Sequence, residues 1–175
     1  MATLETKVTV AERFLGMPTD LGVSTTHDIA ASLAKLRIDI FVLYVKTRNF
    51  YWRMSGLNVR DYHVLLDEQG AEIFATAVAI AEHARKIAGT TVYSISDIAG
   101  HQPNLDNNAD CVDPRGMLAE LERDNKRLVA EMRRVHELCD EYGDVATASL
   151  LEVWIDETAR RSWFLLESCR SSTLR

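Results

Sequence analysis

Four stretches of the chain repeat apolar residues at alternating steps of three and four positions, the spacing of one face of an α-helix. In the first stretch these positions are Ile29, Leu33, Leu36, Ile40 and Leu43. Similar spacing recurs over residues 66–87, 117–135 and 151–166. The pattern predicts an all-α protein with four long helices.

Capping residues predict where these helices begin. Short polar side chains are favoured just before a helix because they accept hydrogen bonds from its free N–H groups, and proline is favoured at the first helical position. The predicted N-caps are Ser24, Thr25 or Thr26 for the first helix, Asp113 before Pro114 for the third, and Asp144 for the fourth.

Glycines predict where the helices end, since glycine readily adopts the left-handed conformation that closes a helix. The first helix is expected to stop near Ser55 and Gly56, and the second to run over about residues 59–88 with Gly89 as its C-cap. The third is expected to end near Gly143, and the fourth near residue 168.

The helical pattern breaks over residues 90–113, which combine one candidate short helix with a loop rich in Asn, Asp and Pro. A connection of this length is needed when the second and third helices lie parallel. The sequence therefore predicts a ferritin-like four-helix bundle over residues 24–170, preceded by an arm (1–23) and followed by a short tail (171–175).

Composition fits one domain with a sizeable core, since 47% of the 175 residues are hydrophobic. The net charge of −6 argues against a nucleic-acid surface on the folded body and is compatible with attracting cations. Cys111, Cys139 and Cys169 are odd in number and lack CxxC spacing, which favours reduced thiols. No apolar run is long enough to span a membrane and no signal-peptide core is present, so we expect a cytoplasmic protein.

Three candidate metal ligands lie on one stripe of the second helix: His63, Asp67 and Glu82. His63 and Glu82 are separated by roughly 28 Å at about 1.5 Å per residue, so one copy of the helix cannot close them on one ion. An antiparallel second copy would bring His63 of one chain beside Glu82 of the other. The alternative is a hydrogen-bonded histidine with ordinary surface carboxylates.

The usual di-iron motif of ferritins is absent from the sequence. That site places Glu-x-x-His on two helices inside one bundle. None of the five histidines has glutamate three positions before it. This absence favours a site between subunits over one inside the bundle.

Four segments, taken in their order along the chain, carry a family resemblance. They are NFYWRMSG (49–56), DYHVLLDEQ (61–69), IAEHARKIAG (80–89) and DVATASLLEVWIDETARRSWFLLE (144–167). Over roughly residues 26–168 the chain resembles the Dps family, the DNA-binding proteins from starved cells. The resemblance implies a hollow homo-oligomeric shell of twelve subunits. It also implies iron (Fe²⁺/Fe³⁺) at sites on twofold interfaces, oxidised by hydrogen peroxide in preference to oxygen and stored inside, which limits oxidative damage to DNA.

The family's site residues match this chain only in part. The resemblance assigns catalytic and metal-binding roles to His63, Asp67 and Glu82, and Trp52 matches the tryptophan beside the site. Tyr51 stands where the family usually has histidine, and Val78 where it usually has aspartate. A phenol with a reference pKa of about 10 is a poor Fe²⁺ ligand, and valine is none. We therefore predict a weakened ferroxidase site.

Acidic residues cluster between the third and fourth helices, at Asp140, Glu141 and Asp144. In the family, acidic residues near this point line threefold entry pores, and the alternative here is helix capping and solvation. Both interpretations remain open at the sequence level.

Three functions remain to be compared. The first is an iron-oxidising and iron-storing mini-ferritin, and the second is a catalytically silent shell subunit of the same fold. The third, an ordinary four-helix interaction protein, leaves the order of the four matched segments unexplained. DNA binding is expected to be weak or absent because neither end carries a basic tail, so nucleoid association is a secondary expectation.

Overall fold

The computed structural model describes residues 21–56, 58–87 and 113–171. These residues form four helices and no strand: α1 (Val23–Arg53), α2 (Val59–Lys86), α3 (Pro114–Tyr142) and α4 (Val145–Ser171). The predicted all-α four-helix architecture is confirmed. The candidate short helix of the crossover, Gly89, and most of the arm and tail lie outside the described residues.

The bundle is assembled from two helix pairs. α1 packs against α2 and α3 against α4, and α1 also contacts α3, while α2 and α4 meet less closely. The apolar stripes of all four helices line the shared interior. The fully buried residues include Ile29, Leu33, Ile40, Leu66, Ile73, Ile80, Leu118, Leu121, Met132, Leu151 and Leu165.

The predicted start of α1 is wrong. Ser24, Thr25 and Thr26 lie inside the helix, and Gly22 is the N-cap, with no side-chain hydrogen bond. The Thr26 hydroxyl donates to the carbonyl of Gly22 at 3.2 Å, a bond to the residue four positions earlier that is compatible with a helical interior.

The predicted C-cap of α2 is also wrong, since the helix ends at Lys86 and its C-cap is Ile87, not Gly89. The other two predicted N-caps are confirmed. Asp113 accepts hydrogen bonds from the N–H groups of Arg115 and Gly116, at 2.8 and 3.0 Å, and Pro114 is the first residue of α3. Asp144 accepts from the N–H of Thr147 at 3.0 Å and so caps α4.

Gly143 separates α3 from α4. Its φ of 72° is left-handed, and its N–H donates to Asp140 O at 3.1 Å while the N–H of Asp144 donates to Cys139 O at 2.9 Å. This pair of bonds is a Schellman motif, which satisfies the last carbonyls of α3. The motif fixes the turn that leads directly into the Asp144 cap.

The described ranges contain no helix that combines the length and apolar character needed to cross a membrane.

Candidate functional site

His63 and Tyr51 meet where the end of α1 faces the start of α2. Their rings stack with centroids 4.5 Å apart and planes inclined by 29°. The Nε2 atom of His63 is buried and has no hydrogen-bond partner among the described residues. A buried ring nitrogen without a partner is costly unless a ligand, a water or another chain supplies one. The ring of His63 therefore has one nitrogen, Nε2, that the described part of its own bundle leaves unsatisfied.

Asp67 is engaged by Arg48, a residue that the sequence interpretation missed. Nη1 of Arg48 donates to Oδ1 of Asp67 at 2.5 Å, and this hydrogen bond raises the pKa of the guanidinium. The guanidinium carbon also lies 5.1 Å from the centre of the Tyr51 ring. Arg48 lies three positions before Tyr51, a one-turn spacing that could have suggested this arrangement.

Gly70 provides the space for Arg48. A Cβ atom at position 70 would lie 3.2 Å from Cδ and 3.4 Å from Nη1 of the arginine. Since 3.2 Å is tighter than most such contacts, the absent side chain lets the arginine lie close to α2. Arg48, Tyr51, His63, Asp67 and Gly70 form one connected group, which we call the α1–α2 cluster.

Glu82 lies far from this cluster. It is exposed and sits near the end of α2, 19 positions beyond His63 on the same helix. Within the described part of the chain, no three His, Cys, Asp or Glu side chains are grouped so that they could hold a metal ion. One subunit therefore brings His63 and Asp67 close together but does not bring Glu82 to them.

An exposed stripe of α2 connects the two ends. Its members, spaced by three or four positions, are Asp67, Ala71, Phe74, Val78 and Glu82. Phe74 and Val78 are 46% and 41% exposed, and Trp52 beside the cluster is 68% exposed. Large apolar side chains grouped on a surface favour contact with another protein surface. Val78 occupies the middle of the stripe and offers no metal-binding atom.

The carboxylates inside the bundle face cations. Lys46 of α1 is buried and forms ion pairs with Glu120 and with Asp124, the latter at 2.8 Å. Arg161 of α4 is buried as well, and its Nη1 lies 3.7 Å from Oε2 of Glu72. Lys46 thus balances the two carboxylates beside it, whereas the Glu72 side chain that faces Arg161 is 36% exposed.

The acidic residues at the α3–α4 turn have different surroundings. Asp144 is buried, caps α4 and accepts a second hydrogen bond, from the hydroxyl of Thr147. That hydroxyl lies 2.7 Å from Nε2 of His83, which must donate to it because the hydroxyl proton is already given to Asp144. Burial lowers the pKa of His83, which favours the neutral imidazole that carries its proton on Nε2. Capping therefore accounts for Asp144.

Asp140 and Glu141 are both exposed. Oδ2 of Asp140 lies 3.2 Å from Nδ1 of His136. A pore role for this exposed pair remains a prediction.

Comparisons with known proteins agree with the fold. The profile of the ferritin-like domain family matches residues 30–171. The chain is 28% identical over 128 residues to an uncharacterised low temperature-induced protein of Nostoc sp., covering 73% of this chain and 72% of that protein. It is 26% identical over 137 residues to DNA protection during starvation protein 1 of Deinococcus radiodurans, covering 78% and 66%.

A solved structure gives the same result. The crystal structure of the DPS protein from Vibrio cholerae O1 matches with a TM-score of 0.78 at 20% identity, covering 87% of this chain and 98% of that one. It is described as a member of a broad superfamily of ferritin-like diiron-carboxylate proteins. The chain belongs to the ferritin-like domain family. Its relatives named for DNA protection during starvation support the resemblance to the Dps family.

Proposed function

We propose that this chain is a subunit of a Dps-type mini-ferritin that binds, oxidises and stores iron and so limits damage by iron and peroxide. The observation that carries the proposal is the exposed α2 stripe, with His63 and Asp67 at one end and Glu82 at the other. Family membership supports the general function. The named relative in Deinococcus radiodurans protects DNA during starvation, and the Vibrio cholerae structure belongs to a diiron-carboxylate superfamily.

The proposed site forms between two subunits. Two α2 helices packed antiparallel about a twofold axis would bring Glu82 of each chain beside His63 and Asp67 of the other. The exposed Phe74 and Val78 supply apolar surface that this contact would bury. The site is thus complete only in the oligomer, for which we propose a shell of twelve copies.

The proposed chemistry uses iron as substrate. Two Fe²⁺ ions and one H₂O₂ with two protons give two Fe³⁺ ions and two water molecules, so the electrons balance without release of hydroxyl radical. His63 would bind through its buried Nε2, with the ring proton on Nδ1, and Asp67 and Glu82 would bind through carboxylate oxygens. Oxygen donors at Asp67 and Glu82 also stabilise the more highly charged Fe³⁺ product.

Three features favour a slow site. Tyr51 is an aromatic neighbour of His63 without a nitrogen ligand, and Val78 supplies no ligand. Asp67 is already paired with Arg48. These features support the second candidate, a silent shell subunit that assembles alone or with a catalytically intact relative.

Iron oxidation by the purified assembly tests the proposal. The protein is loaded anaerobically with Fe²⁺, hydrogen peroxide is added, and Fe³⁺ formation is followed against buffer and a Glu82→Ala variant. Oxidation faster than buffer that is lost in Glu82→Ala supports a working interface site. Oxidation no faster than buffer, in an assembly of shell size by light scattering, favours the silent subunit.

We propose a cytoplasmic location and no strong association with DNA. The net charge of −6 is unfavourable for binding phosphate groups. Protection of DNA would then follow from removal of Fe²⁺ and peroxide and not from coating of the duplex.

A further inference from the structure

The pair formed by Arg48 and Asp67 lies within the proposed iron site. The bond joins α1 to α2 at 2.5 Å, and the two side chains are 28% and 62% exposed. A carboxylate oxygen that accepts a guanidinium N–H offers the same lone pairs that a metal ion needs. In this conformation Oδ1 of Asp67 is occupied, and a metal ion that binds the remaining oxygen would lie close to the positive charge of the guanidinium.

The arginine contacts two side chains and lies in the space left open by a glycine. Its guanidinium lies over the Tyr51 ring, its hydrogen bond reaches Asp67, and its Cδ passes close to the position that a Cβ of residue 70 would occupy. By contrast, the exposed pair of Arg134 with Glu131 joins neighbouring turns of one helix. Arg48 thus contacts Tyr51 on its own helix, α1, and Asp67 on α2, an arrangement more specific than a simple surface ion pair.

We propose that Arg48 is a resident cation that determines when the iron site can form. In the metal-free subunit its guanidinium is hydrogen-bonded to the Asp67 carboxylate, and Fe²⁺ binds Asp67 only after the arginine turns away. This inference rests on the proposed function. It adds a third cause, besides Tyr51 and Val78, for weak metal binding at the site.

The physical reason is competition for one carboxylate. A guanidinium and a divalent ion beside Asp67 repel each other, and this repulsion is strongest where water screens it least. When iron is absent, the positive charge of Arg48 also balances the negative charge of the Asp67 carboxylate and fixes its orientation. Because the side chain is partly exposed, it has solvent into which it can swing.

Binding of Mn²⁺ to the assembled, iron-free protein tests the inference without any oxidation step. Electron paramagnetic resonance measures the free ion for wild type and for Arg48→Gln. We expect about tenfold tighter binding in the variant, since a unit charge beside a divalent ion is removed. Arg48→Lys, which keeps the charge, should remain near wild type. Unchanged or weaker binding in Arg48→Gln, or no detectable binding to either protein, overturns the inference.

Two further variants sharpen the test. Arg134→Gln removes an exposed, carboxylate-paired arginine elsewhere on the chain, and it should leave Mn²⁺ affinity unchanged. Gly70→Ala changes no charge but adds a Cβ against Arg48, so it should tighten Mn²⁺ binding by weakening the arginine's hold on Asp67. A change in Arg134→Gln as large as that in Arg48→Gln would overturn the inference, because the effect would then be general electrostatics.

The inference and the proposed function fail in different ways. If iron oxidation depends on Glu82 while Arg48→Gln leaves the Mn²⁺ affinity unchanged, the proposed role of Arg48 is wrong and the proposed ferroxidase function stands. Tighter Mn²⁺ binding in Arg48→Gln without iron oxidation in wild type would support the resident cation and argue against an active ferroxidase.

Discussion

The imidazole of His63 stacks on the ring of Tyr51, with centroids 4.5 Å apart. An aromatic ring in this place gives the histidine a packing partner but no second nitrogen ligand for a metal. The buried Nε2 of His63 is left without a partner among the described residues. Tyr51 thus stands where the family usually has a second nitrogen ligand, while the buried Nε2 of His63 stays unsatisfied within the described part of its own subunit.

Restoring the two missing ligands should increase iron oxidation. Tyr51→His adds an imidazole and Val78→Asp adds a carboxylate on the α2 stripe. Since single changes around a metal site alter affinity or activity by about 10- to 100-fold, the double variant should oxidise Fe²⁺ at least about tenfold faster than wild type. Stopped-flow absorbance after peroxide addition measures the rate.

A matched control separates ligand chemistry from added charge. Val153→Asp places the same carboxylate on a valine of α4 that is 54% exposed and lies away from the stripe. It should not change the rate. Equal rates in the double variant and wild type would show that the interface cannot be repaired at these positions.

Asp144 should contribute to stability more than to iron entry. Asp144→Ala removes the cap of α4 and the acceptor for the Thr147 hydroxyl, at a cost of about 2 kcal/mol in the free energy of unfolding. Thermal unfolding measures this cost. Glu141→Gln, an exposed change, should lie within about 0.5 kcal/mol of wild type. Slower iron uptake in either variant at unchanged stability would instead favour the pore.

The buried Lys46 should be essential for the bundle. Lys46→Met leaves Glu120 and Asp124 one helical turn apart without a cation, which we expect to cost about 3–5 kcal/mol. Denaturant unfolding measures the loss. The triple variant that also carries Glu120→Gln and Asp124→Asn should recover most of it, because no buried charge is then unpaired. A triple variant as unstable as Lys46→Met would contradict this explanation.

Cys139 should make stability fall at alkaline pH. Burial, with smaller effects from Asp144 and Asp140, raises the pKa of its thiol from 9.0 to about 12. Because the folded pKa is the higher one, the stabilising contribution is complete below about pH 9 and is lost as pH rises toward 12. Between about pH 9 and 11, the free energy of unfolding of wild type should fall more steeply than that of Cys139→Ala, by up to about 1.4 kcal/mol per pH unit. Parallel pH profiles for the two proteins would argue against a perturbed thiol.

Duplex DNA should not bind strongly at physiological salt. The chain carries 20 Lys and Arg against 26 Asp and Glu, so counterion release at the phosphates offers little gain. A gel-shift assay at about 150 mM salt with micromolar protein measures binding. A clear shift under these conditions would contradict the prediction and would point to the arm or tail as the contact.

The sequence by itself determined most of the fold. Helix formation depends on local spacing, so the apolar stripes, the Asp113 and Asp144 caps and the turn at Gly143 could all be predicted. The start of α1 was predicted wrongly because Ser24, Thr25 and Thr26 are all good caps by residue type, whereas the helix begins earlier, directly after Gly22, without a side-chain cap.

The sequence also put His63, Asp67 and Glu82 on one stripe, because all three belong to a single helix with a fixed rise and period. The tertiary structure alone decided what each stripe residue meets. Arg48 and Asp67 lie 19 positions apart, and Lys46 and Asp124 lie 78 apart, on different helices. Such partners depend on the register in which helices pack, and local periodicity does not encode that register. Only the folded bundle therefore shows that Nε2 of His63 lacks a hydrogen-bond partner among the described residues and that Arg48 is paired with Asp67.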